Sequence, residues 1–365
     1  MREHLIFDAR HITKGGIGVY IRHHLDYLTR SMTFESIVIL CNQGDDVEEF
    51  ICSPRVRALE FPRLFSIVEQ IAMRRLIREY KRSVYFSPHV TFPFFPFCPT
   101  VLTVHDVIWL KYPKYAKVPA REYFRLMLWR ATKVCDRIIC ISEATARDMQ
   151  EFFHCRPDKL AIVHNGCESA DPSAKPKAEP IGKYWLYVGN WKPWKNVPVL
   201  IEAFEHYMDM QQQHEPCELV LVGESANNMS DDIVSRVGSS RYRDNISIRG
   251  RVSDSELKSL LSNAYALVHP AEYEGFGLTI LEAMRVGTPV ITTSGGSLPE
   301  VAGDAAIVVH PGSAESLASA MKNLSGDAGL YCDLSTRGLR QVEGFSWMSS
   351  SERTLQVFEK LRQFS

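Results

Sequence analysis

Residues 269–301, HPAEYEGFGLTILEAMRVGTPVITTSGGSLPEV, hold the end of one apolar run, a glycine-bearing loop, a stretch of helical period and a second apolar run, TPVITT. A strand followed by a loop, a helix and another strand is one turn of an alternating α/β unit, whose successive strands lie parallel. A helix starting near Gly277 puts Glu282 in its second turn and leaves Glu274, eight positions earlier, in the preceding loop. Both carboxylates then flank a helix N-terminus, the end that attracts anions. Gly275 and Gly277 let the backbone approach closely, and the N–H groups of Phe276, Gly277, Leu278 and Thr279 are placed to donate to a diphosphate. In isolation the segment reads as an amphipathic helix with two solvated glutamates; its surroundings decide otherwise.

Upstream, the same alternation recurs in YWLYVG, ELVLVG, NISIRG and YALVHP, each followed by a loop and mostly by a helical pattern. Before these, residues 169–182, SADPSAKPKAEPIG, carry three prolines and no apolar periodicity, which marks a surface linker. The first half opens with a strand near residues 4–8, the glycines of KGGIGVY (14–20) and a helical stretch from Val19 to Leu28, and continues through SIVIL, SVYFS, TVLTV and RIICIS. The chain thus predicts an N-terminal α/β domain over 1–168, the linker, a second such domain over 183–345, and a C-terminal helix over 346–365 packing back on the first domain. Doubly wound sheets bind ligands outside the carboxyl ends of their strands.

The 365 residues suit two domains of ordinary globular composition, 45% hydrophobic and 23% charged. A net charge of −1 excludes a global field that would recruit nucleic acid. Nine cysteines without a C-x-x-C pair predict reduced thiols and a cytoplasmic setting, and the charged first strand is unlike a secretory leader. The most apolar stretch, VTFPFFPFCPTVLTV, is broken by Pro93, Pro96 and Pro99 and is too short to span a bilayer. No D-x-D triplet and no His/Cys cluster of metal-ligand spacing occurs, so metal-dependent chemistry is not expected.

Four further segments carry candidate chemistry. In YVGNWKPWKNVPVLIEAF a strand ends at Gly189 and a loop holding Lys192 and Lys195 leads into a helix; basic groups at a strand's carboxyl end suit a diphosphate. KGGIGVY lacks the G-x-G-x-x-G order of a dinucleotide site and reads as a loop before a helix. TVHDVIWL places His105 and Asp106 at a strand end. In SIRGRVSDSELKSLL, Arg251 and Val252 follow a strand and Ser253 caps the next helix, as Ser142 does in ICISEATARDM.

Taken together, these segments resemble the retaining glycosyltransferases of family 4, which have the GT-B fold of two Rossmann-like doubly wound domains facing each other across a cleft. The Glu-x7-Glu segment with its trailing GTPV carries most of the resemblance. It implies that Glu274 lies by the donor sugar and Glu282 on the nucleotide ribose, with Gly275, Phe276, Gly277, Leu278 and Thr279 at the diphosphate. Lys195 matches the family lysine; Asn190 stands where the family has an arginine, with Lys192 a possible substitute charge. Gly16 matches the glycine-rich loop that faces the donor phosphate, His105 the histidine that approaches the donor sugar, and Arg251 and Val252 a backbone contact to the base. His105, Glu274 and Lys195 are thereby the catalytic set.

YVGNWKPWKN together with HDVIWLKYPKY is most similar to bacterial polysaccharide mannosyltransferases. That favours GDP-mannose as donor, with a UDP-sugar as the alternative, and a glycan or lipid-linked glycan as acceptor. Competing readings are a catalytically silent nucleotide-sugar-binding partner subunit and a GT-B sugar-nucleotide epimerase. Two basic-aromatic stretches in the first domain, Arg63 to Arg82 and Lys111 to Arg130, read either as surface helices burying apolar sides or as a basic face for an anionic membrane surface, peripheral on the inner side of the cytoplasmic membrane. In the first, Phe65, Ile67, Ile71 and Leu76 are the expected apolar face.

Overall fold

The computed structural model describes residues 4–63, 66–170, 174–177, 182–210, 218–224 and 229–362, without the side chains of 229–231 and 362. The chain divides into two compact units, Met1–Gly166 with Trp347–Ser365, and Cys167–Ser346. Of the proline-rich stretch at 169–182, residues 171–173 and 178–181 lie outside the described residues. Lys177 within it is tied down in unit 2, its Nζ donating to Ser262 O (2.6 Å) and Thr288 Oγ1 (2.7 Å).

Unit 1 is built on a seven-stranded, wholly parallel sheet in the order β3-β2-β1-β4-β5-β6-β7. Its strands are β1 His4–Asp8, β2 Ser36–Cys41, β3 Val56–Glu60, β4 Ser83–Ser87, β5 Thr100–Val104, β6 Arg137–Cys140 and β7 Leu160–Ile162. The helices are α1 Gly15–Arg30, α2 Ile67–Glu79, the single turn α3 Ile108–Lys111, α4 Val118–Val134 and α5 Glu143–Phe153. Every residue of β4 and β5 is buried, the pattern of central parallel strands covered on both faces, whereas β3 and β7 at the edges are half exposed.

Unit 2 repeats the plan with six parallel strands in the order β10-β9-β8-β11-β12-β13. These are β8 Tyr184–Val188, β9 Glu218–Val222, β10 Ile246–Gly250, β11 Ala266–His269, β12 Val290–Thr293 and β13 Ala306–Val309. Its helices are α6 Val197–Met210, α7 Met229–Ser239, α8 Asp254–Asn263, α9 Leu278–Met284, α10 Leu298–Ala302, α11 Ala314–Gly326 and α12 Ala328–Glu343. The core packs Trp185, Tyr187, Leu200, Phe204 and Leu317 around the sheet. The last helix, α13 Trp347–Arg362, belongs to unit 1. His24 of α1 hydrogen-bonds Thr354 Oγ1 (3.1 Å), Trp347 stacks on His23 at 4.4 Å, and Phe358 meets Phe34 and Phe86 edge-on.

Three local expectations are corrected. KGGIGVY is not a loop before α1: the helix begins at Gly15, so Gly16 lies in its first turn, exposed, where backbone N–H groups lack intrahelical acceptors. Gly18 is the sterically required glycine, because a Cβ there would stand 2.3 Å from Ile12 O. The second basic stretch is three pieces, α3, a 3-10 turn at Pro113–Tyr115 and α4, since Pro113 cannot continue a helix. The apolar face expected on α2 is not buried as a unit: Leu76 is buried, Ile67 and Ile71 are exposed, and Phe65 lies outside the described residues.

Candidate functional site

In unit 2 the strand order reverses between β8 and β11, and the loops after these two strands form the crevice where open α/β sheets take ligands. Lys195 comes from the loop after β8, on a 3-10 turn at Pro193–Lys195 closed by Asn196 in the left-handed region (φ 57°). Glu274 comes from the loop after β11. The two loops are joined by a backbone hydrogen bond from Glu272 N to Trp194 O (2.7 Å). Across this junction Lys195 Nζ donates to Glu274 Oε1, and His269 Nε2, at the end of β11, donates to the same oxygen at 2.9 Å.

These two cationic and polar partners outweigh the cost of burial and hold the Glu274 carboxyl down at about 2, so it is ionised throughout the physiological range. Burial pushes the His269 imidazole below its ordinary value, against the opposing pull of Glu274. His269 is therefore neutral near pH 7: its Nε2–H serves Glu274 while Nδ1 is buried without a hydrogen-bond partner.

The Glu274 loop is clamped by the turn after β12. Ser297 Oγ donates to Glu274 O and Phe276 O, both at 3.0 Å, and Ser297 N donates to Glu274 O (3.1 Å). Gly296, at φ 64°, leaves no room for a side chain, since a Cβ would fall 2.3 Å from Glu274 O. Gly277 is the N-cap of α9 with φ 99°, so Leu278 and Thr279 form the first turn as expected. With seven residues, α9 offers the N–H groups of that turn more than a long dipole.

Glu282 sits in the second turn of α9. Burial raises its carboxyl above the ordinary value, opposed by Arg285, whose own guanidinium pairs with Glu168 at 2.7 Å. Lys192 lies over the Trp194 ring (5.1 Å), and Asn190 is exposed with its carbonyl accepting from Tyr187 Oη (2.9 Å). Arg251 is exposed and Val252 half-buried after β10, and Ser253 caps α8 by accepting from Glu256 N (3.3 Å). Unit 2 therefore brings Lys195 and Glu274 into contact, holds Leu278, Thr279 and Glu282 on α9, and places the remaining residues on loops at strand ends.

In unit 1, His105 follows β5. Its Nε2 donates to Pro88 O (2.8 Å), which leaves Nδ1 as the acceptor of a neutral ring, and burial lowers its value to about 4. Asp106 accepts from the backbone N–H of Ile108, the first residue of α3 (3.0 Å). The strand order of unit 1 reverses between β1 and β4, and residues that sequence reasoning passed over gather there. Asp8 accepts from Arg10 Nε (2.8 Å) and Tyr85 Oη (2.6 Å), Arg10 also pairs with Glu69, and the His89 ring lies tilted against that of His11 with centroids 4.2 Å apart. His269, Gly296 and Ser297 were missed likewise in unit 2. The available signals were a histidine ending a strand five residues before Glu274 and a glycine pair one residue beyond TPVITT. Among the described residues, no group of three or more His, Cys, Asp or Glu is arranged to hold a metal, and no helix is long and apolar enough to cross a membrane.

Residues 14–170 match the family model Glycosyltransferase Family 4, and residues 171–340 match Glycosyl transferases group 1. The O-antigen chain mannosyltransferase B of Escherichia coli is 28% identical over 297 residues, covering 78% of this chain and 76% of that protein. The O-antigen chain mannosyltransferase RfbU of Salmonella typhimurium is 29% identical over 254 residues, 70% of this chain and 68% of that one. The fold is similar to that of Anabaena Alr3699/HepE in complex with UDP, with a TM-score of 0.76 over 98% of this chain and 100% of that chain at 15% identity.

Proposed function

We propose that this chain, which belongs to the family 4 glycosyltransferases, moves mannose from GDP-mannose onto a growing bacterial polysaccharide, with retention of configuration and without a metal ion. The observation that carries this reading is the Lys195–Glu274–His269 constellation at the switch point of the unit 2 sheet. The names of the two O-antigen relatives support mannose as the sugar.

As the bond from the sugar to the diphosphate breaks, negative charge grows on the departing phosphate. Lys195, with Lys192 beside it and the first-turn N–H groups of α9, is fixed before the reaction and stabilises that charge without reorganising. Glu274, kept anionic, accepts from sugar hydroxyls; Glu282 accepts from the ribose. His105, neutral and with Nδ1 as acceptor, is assigned to the donor sugar on the family resemblance. Gly16, Asn190, Arg251 and Val252 complete the donor contacts in the same reading.

Double displacement by a carboxylate pair needs an acid and a nucleophile, and only Glu274 is assigned to the sugar. By family resemblance, the acceptor hydroxyl attacks from the face the diphosphate leaves, and its proton passes to the departing phosphate. The acceptor is a glycan or a lipid-linked glycan, the latter held at an anionic membrane surface.

The test is transfer with a panel of GDP- and UDP-sugars, followed by NMR of the fresh linkage. An α-linked mannose from GDP-mannose is expected. Transfer from a UDP-sugar alone refutes the donor, and an inverted linkage refutes retention.

A further inference from the structure

Unit 1 carries an apolar surface that its core does not use. On α2, Ile67, Val68 and Ile71 are 81%, 62% and 50% exposed, while the helix buries Glu69, Met73 and Leu76 instead. After β4 the chain presents Phe94, Phe95 and Phe97 to solvent, and α4 presents Leu126 and Trp129, three residues apart on one face. These pieces are contiguous. Ile67 and Gln70 of α2, Phe94, and Tyr123 and Leu126 of α4 line one cavity of about 240 Å³. Phe95 N donates to Gln70 Oε1 (3.3 Å), and Arg130 Nε donates to Phe94 O (2.7 Å). Scattered exposed hydrophobics are ordinary, but a joined group of aromatic and aliphatic side chains marks an interaction surface.

Its chemistry is cationic as well as apolar. The Arg130 guanidinium lies 4.0 Å from the Phe94 ring centroid and Arg74 lies 5.9 Å from that of Phe97. Arg75, Arg78 and Arg125 are exposed on the same two helices. Of the carboxylates on these helices, Glu69 is buried against Arg10 and Glu122 is paired with Arg121, and exposed Glu79 is outnumbered by Arg74, Arg75, Arg78, Arg125 and Arg130, so the local charge is positive although the whole chain carries −1.

We infer that this surface docks unit 1 on an anionic lipid bilayer, with Ile67, Phe94, Phe95 and Trp129 entering the boundary between headgroups and acyl chains and the arginines resting on lipid phosphates. An anionic bilayer answers both halves of the surface at once: phosphates for the guanidinium groups and hydrocarbon for the side chains between them. The inference deepens the reading of a membrane-held acceptor and rests on it for its purpose, while its test does not depend on transfer.

The full chain, without nucleotide sugar, is co-sedimented with phosphatidylcholine vesicles and with vesicles containing phosphatidylglycerol. Binding only to the latter is expected, reduced but not abolished at about 0.5 M salt, where exposed charges are screened. Phe94→Ser/Phe95→Ser, whose side chains are exposed, is expected to melt like the parent yet bind roughly tenfold more weakly or worse. Lipids brominated on the acyl chains are expected to quench the parent's tryptophan emission and to leave that of Trp129→Phe largely unquenched. Equal recovery with both vesicle types, or unaltered binding by the double phenylalanine variant, overturns the inference. A concentration-dependent dimer abolished by the same variant also does so, since a second copy then covers the surface. Donor hydrolysis in solution by the same proteins separates the two readings. Vesicle binding by a chain that uses no nucleotide sugar leaves the surface standing and removes the transferase reading. Transfer by a chain that ignores vesicles does the reverse.

Discussion

Lys195→Ala removes the ammonium that pairs with Glu274 and leaves His269 as the carboxylate's remaining partner in the network described above. In the parent, the Glu274 carboxyl stands at about 2 against an ordinary 4.5. That difference, at about 1.4 kcal/mol per pH unit, is a stabilisation of about 3 kcal/mol at neutral pH. Because the folded value lies below the unfolded one, this contribution is fully present above pH 4.5 and is lost as pH falls toward 2. Without Lys195, burial dominates and the carboxyl rises. Breaking a buried pair from one side costs about 3–5 kcal/mol, and the side chains here, 15% and 14% exposed, favour the lower end. Glu274→Gln keeps the volume and a hydrogen-bonding group for His269 but needs no cation, so in the double variant most of the Lys195→Ala loss should be recovered. The measurement is urea denaturation of the parent, the two single variants and the double variant at pH 7.5, giving a coupling energy of about 1–3 kcal/mol. Repeating it at pH 5.5 should show Lys195→Ala losing less, because its carboxyl is then partly protonated. Additivity within about 0.5 kcal/mol, or a pH-independent loss, would refute the coupled pair.

Gly296→Ala should cost more than about 2 kcal/mol in urea and also lower turnover, since an alanine is strained at φ 64° and its Cβ displaces the Glu274 carbonyl; parent-like stability sinks the clamp. Glu282→Ala is expected to weaken GDP and GDP-mannose together by about one to two decades in calorimetry, the value of a charged hydrogen bond to ribose hydroxyls. Glu274→Ala and His105→Ala should reduce kcat far more than nucleotide affinity, and full turnover by His105→Ala at saturating substrates removes that residue from the site. Transfer should survive EDTA; its loss, restored by magnesium or manganese, contradicts the assignment of the diphosphate charge to lysines.

The sequence by itself determined the alternating α/β plan, because central parallel strands are buried on both faces and must be nearly continuous apolar runs: SVYFS, TVLTV and YALVH are legible for that reason. The edge strand β3 escaped it because Arg57 and Glu60 interrupt its apolar run, and β7 and β13 because apolar runs of three and four residues are too short to be told from other buried segments by pattern. Within one loop and helix, local spacing was enough to set Glu274 and Glu282 either side of Gly277, and a strand end was enough to pick out Lys195. Tertiary structure alone decided what these groups touch. Lys195 and Glu274 are 79 positions apart and meet because β8 and β11 are neighbours in the sheet, an adjacency that strand composition does not encode. Gly296 and Ser297 reach the Glu274 loop from beyond β12 for the same reason. Amphipathic period predicted apolar faces on the basic helices, but whether such a face meets a core depends on how the helix is turned. On α2 the buried Arg10–Glu69 pair turns Met73 and Leu76 inward and leaves Ile67 and Ile71 outside. Periodicity fixes which residues share a face; only the packed neighbours decide whether that face looks inward or out.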